Sequence, residues 1–310
     1  PGYVAALERA EQTQAVDAAT RARHGLGTLS NPVFPEMFRR PATAAGGSLL
    51  AAELVAGGGA VYNPGGGTHH GMADRAAGFC YLNDPVLALS RLRALGLTRL
   101  AYVDIDAHHA DGVEAAFAGV EGMVLVSTHE EGRWPFTGAL EDRAGGVAVN
   151  LPLPRGAHDG DFARALDEVI LPAVARHRPE AIVLQCGADA VVEDPLSRLA
   201  WSNRSHVRAV RALRPLAPRM IVLGGGGYNP WSVGRAWASV WAALAGHEIP
   251  DRLPGAAEAV LRGLSWSHRL GWNPPEHWFT TLLDAPREAA PTPGVAERVA
   301  ALRARLRAAH

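Results

Sequence analysis

The sequence predicts an α/β fold, a central parallel sheet with helices on both faces, and three observations predict it. Short β-branched or apolar runs alternate with longer helical patterns along all 310 residues. Hydrophobic residues make up 48% and charged residues 20%, an ordinary balance for a chain with a large core and too apolar for wholesale disorder. No repeat or low-complexity linker divides the chain, so residues 1–310 are expected to form a single domain.

Six runs are expected as strands: 60–62, 100–105, 123–127, 147–151, 181–185 and 220–223. Between them helical patterns fall near 3–23, 44–56, 84–95, 112–118, 160–176, 203–216 and 231–245. Asp159 or Asp161 is the candidate cap of one helix, and Ser202 or Asn203 of another. A last helix near 294–308 is rich in arginine and is expected to be exposed. Residues 263–293, proline-rich and without periodicity, are expected as an ordered irregular segment packed by Trp266, Trp272 and Trp278.

Composition closes several routes. Thirty basic against 31 acidic side chains leave a net charge of −1, with no basic excess to attract nucleic acid or anionic lipid. Every basic residue is arginine, which excludes a P-loop lysine and Schiff-base chemistry and points to a GC-biased, bacterial genome. Cys80 and Cys186 form no C-x-x-C, so neither a disulfide framework nor a cysteine zinc finger is supported. No apolar run approaches the roughly 18 residues of a membrane span, and the start shows no signal-peptide pattern. The expectation is a reduced, cytoplasmic, soluble enzyme. The chain lacks an initial Met and is expected to be trimmed at its start.

Polar residues collect where expected strands end, the edge at which open parallel sheets bind ligands. The first run leads into Asn63-Pro-Gly-Gly-Gly-Thr-His69-His70, and the second ends in Asp104-Ile-Asp106-Ala-His108-His109-Ala-Asp111. The fifth runs into Cys186-Gly-Ala-Asp189 and the sixth into Gly224-Gly-Gly-Gly-Tyr228. Asp104, Asp106 and His108, spaced by two, point to one side of an extended segment. Burying neighbouring carboxylates is costly without a cation, so the choices are an arginine ion pair, a solvated turn, or a metal. Asp189 would complete a carboxylate–imidazole–carboxylate set with an open fourth position, the usual form of catalytic zinc; Asp106, His108 and Asp189 are the chosen ligands. His69 and His70 are either satisfied histidines or a general base and its electrostatic companion, with Asp104 and Asp111 as spare carboxylates. Asp111, with Glu114 three residues on, also fits a helix cap. Gly224–Gly227 lacks the G-x-G-x-x-G spacing of a dinucleotide loop; it fits close backbone approach, with the Tyr228 phenol as donor to an oxyanion.

These residues resemble the histone deacetylase family, including its bacterial acetoin-utilization and deacetylase-like members. Five blocks carry the resemblance in the family's order: GGGTHH at 65–70, GFCYLNDPVLAL at 78–89, AYVDIDAHHADGVEAAF at 101–117, IVLQCGAD at 182–189 and LGGGGYN at 223–229. They cover roughly 50–245, with weaker similarity over 1–49. The resemblance implies the three-layer arginase/deacetylase fold and metal-assisted amide hydrolysis. It makes Asp106, His108 and Asp189 the ligands of one catalytic Zn²⁺; oxygen-rich sites of this kind also accept Fe²⁺ or Co²⁺. His70, oriented by Asp111, looks like the general base and acid; His69, paired with Asp104, looks like the electrostatic partner, and Tyr228 matches the tyrosine that polarises the carbonyl. Phe79 and Trp134 occupy the places of the channel's aromatic walls, and Gly78 that of a backbone carbonyl facing the substrate amide. A structural K⁺ is implied at backbone groups of Asp104, Asp106 and His108, with Ser127 and Thr128. Expected partners are an acylated lysine or small acylated amine, with no nucleic acid and no membrane, and a homo-oligomer is admitted.

There are departures. Family chains usually carry a further segment ahead of the point matching Pro1, with the first sheet strands. Natural N-terminal residues, or another chain, are therefore expected over the sheet edge near residue 60. No acid stands at Ser30-Asn31, near the family's rim aspartate; Ala110 replaces a glycine, and Trp134-Pro-Phe-Thr-Gly replaces F-P-G-T-G. These bear on peptide recognition, not on the metal chemistry. Acetylpolyamine-specialised members place a glutamate seven residues after the second zinc aspartate, where this chain has Leu196. That favours acyl-lysine over acetylpolyamines, unless the nearby Glu193 turns inward. A dimanganese ureohydrolase would need further acids where Ala110 and Val191 stand. A catalytically silent acyl-ligand binding protein is the remaining alternative.

Overall fold

All six expected strands form in the computed structural model, which describes residues 2–308. They are β1 (Gly59–Asn63), β2 (Leu100–Asp104), β3 (Met123–Glu130), β4 (Ala148–Leu153), β5 (Ala181–Gln185) and β6 (Arg219–Leu223). They pair in one all-parallel sheet in the order β1-β6-β5-β2-β3-β4, so β1 and β4 are its edges. Because side chains alternate across a strand, the sheet feeds two cores. Val103, Ile182, Leu184 and Val222 join Phe162 and Trp201 on one face. Tyr102, Val183, Ile221 and Leu223 join Leu89 and Leu92 on the other.

The covering helices are α1 (Gly2–Thr13), α2 (Ala18–His24), α3 (Arg39–Leu54), α4 (Asp84–Ala94), α5 (Asp111–Phe117) and α6 (Asp159–Ala165). They continue as α7 (Leu171–His177), α8 (Arg204–Leu213), α9 (Pro230–Leu244), α10 (Gly255–Arg262), α11 (His277–Thr280) and α12 (Val295–Ala308). None of the described helices is long and apolar enough to cross a membrane.

Several helical expectations need correction. The pattern over 3–23 is two helices: Gln14 adopts φ +51° and Asp17 caps a new start by accepting from Thr20 N at 2.8 Å. The pattern over 160–176 is α6 and α7 joined by a π-helical segment, Leu166–Ile170. His158, not Asp159 or Asp161, caps α6; Asp161 reaches back to His158 N, and Asp159 accepts from Ser202 and Ser205. Asn203 precedes α8 without capping it, since its Oδ1 accepts from Asp284 N at 2.9 Å, while Ser202 Oγ accepts from Arg204 N at 3.3 Å. The last helix is not simply exposed, because Val295, Val299 and Leu302 form a buried stripe against the core. In the irregular segment Trp278 stacks on Trp231 at 5.4 Å and Trp266 meets Trp231 at 6.3 Å, whereas Trp272 is 79% exposed and packs nothing. Arg235 of α9 clasps this segment: buried, it donates to Thr281 O at 2.7 Å and Asp284 Oδ1 at 2.6 Å.

Candidate active site

The carboxyl ends of β1, β6, β5 and β2, four neighbours in the sheet, deliver the polar clusters to one place. There a cavity of about 130 Å³ is lined by His69, His70, Asp106, His108, Asp189 and Tyr228, with Gly78 and Phe79 beside them.

Asp106 and Asp189 are fully buried, and their carboxylates and the His108 ring present ligand atoms all within 4.8 Å of one another. His108 Nδ1 lies 2.9 Å from Asp189 Oδ2 and 3.1 Å from Asp106 Oδ1. Burial opposes charge on His108, but Asp189 and Asp106 outweigh it and push the imidazole up to about 11. Burial and the charge of Asp106 raise Asp189, while the neighbouring imidazoles hold Asp106 low against its own burial. The set therefore demands positive charge, and two oxygens with one nitrogen suit a divalent ion such as zinc. Gly226 is required beside it: its N–H donates to Asp106 Oδ2 at 2.8 Å, and a Cβ there would lie 2.1 Å from Asp189 Oδ2.

His69 Nδ1 lies 2.7 Å from Asp104 Oδ2, and His70 Nδ1 lies 2.6 Å from Asp111 Oδ1. A carboxylate only accepts, so each Nδ1 carries its proton. The two Nε2 atoms are 2.9 Å apart. Burial lowers both imidazoles. Asp104 and Asp106 overcome it at His69, pushing it up to about 9, whereas burial and the charge of His69 bring His70 down to about 4. His70 thus stands neutral beside a cationic neighbour, its Nε2 the accepting atom of the pair. Asp111 opens α5 without making a side-chain cap; its carboxylate goes to His70.

Residues that the sequence reading passed over hold this machinery. Asp84, fully buried, accepts from Ser48 Oγ, Gly67 N, Thr68 N and Thr68 Oγ1 at 2.6–3.0 Å, fastening the glycine loop ahead of His69. Asn83 donates to His69 O at 2.9 Å and Gly71 O at 2.8 Å, bracketing the histidine pair. Tyr102 donates to Asp104 Oδ2 at 2.5 Å and lies 3.0 Å from Gln185 Oε1, which stands in register with Asp104 on β5. Tyr102 precedes Asp104 by two residues, so strand alternation was a signal for it; a glutamine inside an apolar strand was another.

At the mouth, the Trp134 ring lies edge-on to His70 at 4.6 Å and against Gly78, where a Cβ would meet it at 2.3 Å. Phe79 is 57% exposed and held by its N–H to Ser30 O at 2.8 Å and Asn31 Oδ1 at 3.0 Å. Tyr228 is partly exposed, and burial with the charges of Asp189 and Asp106 keeps its phenol protonated. Leu196 is 42% exposed but outside the lining of the cavity. Glu193 does not turn inward: its carboxylate lies 3.8 Å from His277 and 3.9 Å from Arg287, beside the C-terminal segment. Ser127 pairs in register with Asp104, and Thr128 Oγ1 donates to Asp104 O at 3.4 Å. Ala110 and Val191 are buried and apolar, leaving no acids there for a second metal.

Residues 1–244 match the family model described as the histone deacetylase domain. The chain belongs to the histone deacetylase family. It is 37% identical over 245 residues to the acetoin utilization protein AcuC of Bacillus subtilis, covering 73% of this chain and 63% of that protein. It is 36% identical over 233 residues to a putative histone deacetylase 2 of Caenorhabditis elegans, covering 73% and 46%. The crystal structure of a deacetylase homologue from Aquifex aeolicus superposes with a TM-score of 0.91 at 33% identity, covering 97% of this chain and 83% of that one. A second solved homologue, complexed with SAHA, matches equally. This family member therefore has the arginase/deacetylase fold, and it spans less than two thirds of the length of the Bacillus subtilis and Caenorhabditis elegans relatives.

Proposed function

We propose that this chain is a zinc-dependent deacylase that hydrolyses the amide of an acyl-lysine or a related acylated amine. One observation carries the reading: a neutral, carboxylate-oriented His70 shares a small cavity with the Asp106–His108–Asp189 set and the Tyr228 phenol. Zinc bound there supplies Lewis acidity toward an amide carbonyl and lowers the pKa of water.

The chain's own groups do the rest. His70 Nε2 takes a proton from the attacking water and returns one to the departing amine, so amide and water become carboxylate and amine. Asp111 fixes the tautomer that makes this exchange available. His69, charged and tied to Asp104, favours the negative charge that develops nearby. Tyr228 donates its hydroxyl to the carbonyl oxygen as that oxygen gains charge. Phe79 and Trp134 flank the acyl-bearing stem, and the Gly78 carbonyl accepts from the substrate amide. Backbone groups of Asp104, Asp106 and His108, with Ser127 and Thr128, would hold a structural potassium ion at the base of the site.

The test measures zinc content together with kcat/KM for an acetyl-lysine peptide, a longer acyl-lysine and N-acetylputrescine. One zinc per chain and preferred turnover of acyl-lysine are expected. A zinc-loaded protein that hydrolyses none of the three would instead be the silent acyl-ligand binder. Leu196→Glu is expected to raise efficiency toward N-acetylputrescine by about tenfold, the worth of a partly wet carboxylate–ammonium contact. Native preference for the polyamine, unchanged by that substitution, would remove Leu196 from the gate.

A further inference from the structure

Tyr228 follows four glycines, Gly224 to Gly227, none of which has a side chain to fix the loop. Backbone bonds fix the loop as far as Gly226, whose N–H goes to Asp106 Oδ2 and whose carbonyl accepts from Ala188 N at 2.6 Å. The segment after Asp189 provides two ties. Asp194 Oδ2 accepts from Tyr228 N at 2.6 Å, and Glu193 O accepts from Asn229 Nδ2 at 3.2 Å. The other oxygen of Asp194 accepts from Leu196 N at 2.9 Å, so one carboxylate bridges the tyrosine loop and the loop carrying Leu196. Its own loop is anchored, with Asp194 N donating to Val191 O at 3.0 Å and Val192 N to Trp201 O at 3.0 Å.

Asp194 is buried and forms no ion pair among the described residues. Burial and the charge of Asp189 push its carboxyl up to about 7, an expensive place for a carboxylate. Asparagine would fill the same volume without that cost, but it has one accepting oxygen. Its NH₂ would face a backbone N–H, donor against donor. Two N–H donors at opposite oxygens call for a carboxylate.

We infer that Asp194 is a positioning residue for the reaction, acting through the Tyr228 backbone to hold the phenol over the cavity. This rests on the deacylase reading for its kinetic test and on geometry alone for its structural one. The kinetic test is a cycle of four zinc-loaded proteins: native, Asp194→Asn, Tyr228→Phe and the double variant. Asp194→Asn should lower kcat for an acetyl-lysine peptide by about 10–10²-fold, the cost of a misplaced catalytic group, with KM and zinc content near native. In the Tyr228→Phe background the same change should cost less than about twofold, because its effect has already been removed. Equal losses in both backgrounds would make Asp194 merely structural and overturn the inference. The structural test is a crystal structure of Asp194→Asn, in which Tyr228 should be displaced; an unmoved Tyr228 overturns it whatever the activity. Should Asp194→Asn not fold, Asp194→Ser, whose shorter arm cannot serve both N–H groups, enters the same two comparisons. A native protein without amide hydrolysis would sink the deacylase reading, while the crystal structure would still decide the role of Asp194.

Discussion

His70 can act as a base only while neutral, and its surroundings set the pH at which that ends. Burial and the charge on His69 hold it down to about 4, below the ordinary imidazole value. The accepting form therefore persists through neutral pH and is lost as pH falls through the lowered value, so the acid limb of kcat/KM should lie below pH 6.5. His69→Asn removes the neighbouring charge, so His70 should rise and the limb should move to higher pH; a shift the other way would contradict the assignment. Tyr228→Phe deletes one donor, so zinc content and fold should survive while turnover falls about 10²–10³-fold. Asp84 is a matter of stability: Asp84→Ala strands buried donors and should cost about 2–4 kcal/mol, read as a lower urea midpoint at unchanged slope. The D-x-D-x-H spacing and the paired histidines were legible because their residue types are rare in apolar surroundings. Asp84, Asn83 and Asp194 were not, because their partners are distant loop N–H and C=O groups that leave no mark in the local sequence.

At the level of elements, β2, β5 and β6 were legible almost to the residue because strands buried on both faces read as short apolar runs. The helix breaks were hidden for a reason equally physical. The stop after Thr13 depends on a positive φ at Gln14, a residue type that gives no warning of it. The irregular segment was recognised and its fastening read in part: Trp266 and Trp278 pack on Trp231 as expected, Trp272 does not, and Arg235 with Asp284 adds a clasp. That pair is nearly solvent-free, and Asn203 N also donates to the same carboxylate at 3.2 Å. Removing one partner leaves the other charge buried and alone. Asp284→Ala should destabilise by about 3–5 kcal/mol, and limited proteolysis should cut within 263–293 before the sheet unfolds. Resistance there equal to the native chain would show that tryptophan packing alone holds the segment.

For the molecule as a whole, the proposed metal set is a concentration of buried charge that a cation would relieve. Asp106 and Asp189 sit buried side by side, and among the described residues the positive charge against them is imidazole. Zinc should therefore raise the thermal midpoint, by the equivalent of about 2.7 kcal/mol at a hundredfold excess over Kd, and Asp189→Ala should abolish the rise. An equal rise in Asp189→Ala would place the ion elsewhere. The strand order has a kinetic side. Gly226 meets Asp106 across 120 residues of chain, and His108 meets Asp189 across 81. Two of the three proposed ligands follow β2 and the third follows β5, and the backbone that closes over them follows β6. Pairings this non-local form slowly, and until they form no two ligands from different strands are neighbours. A chain refolding from denaturant should thus regain helical circular dichroism first and capture zinc only at the end. The ion would serve as a seal on finished molecules, and a nascent chain still missing β6 would have little hold on it.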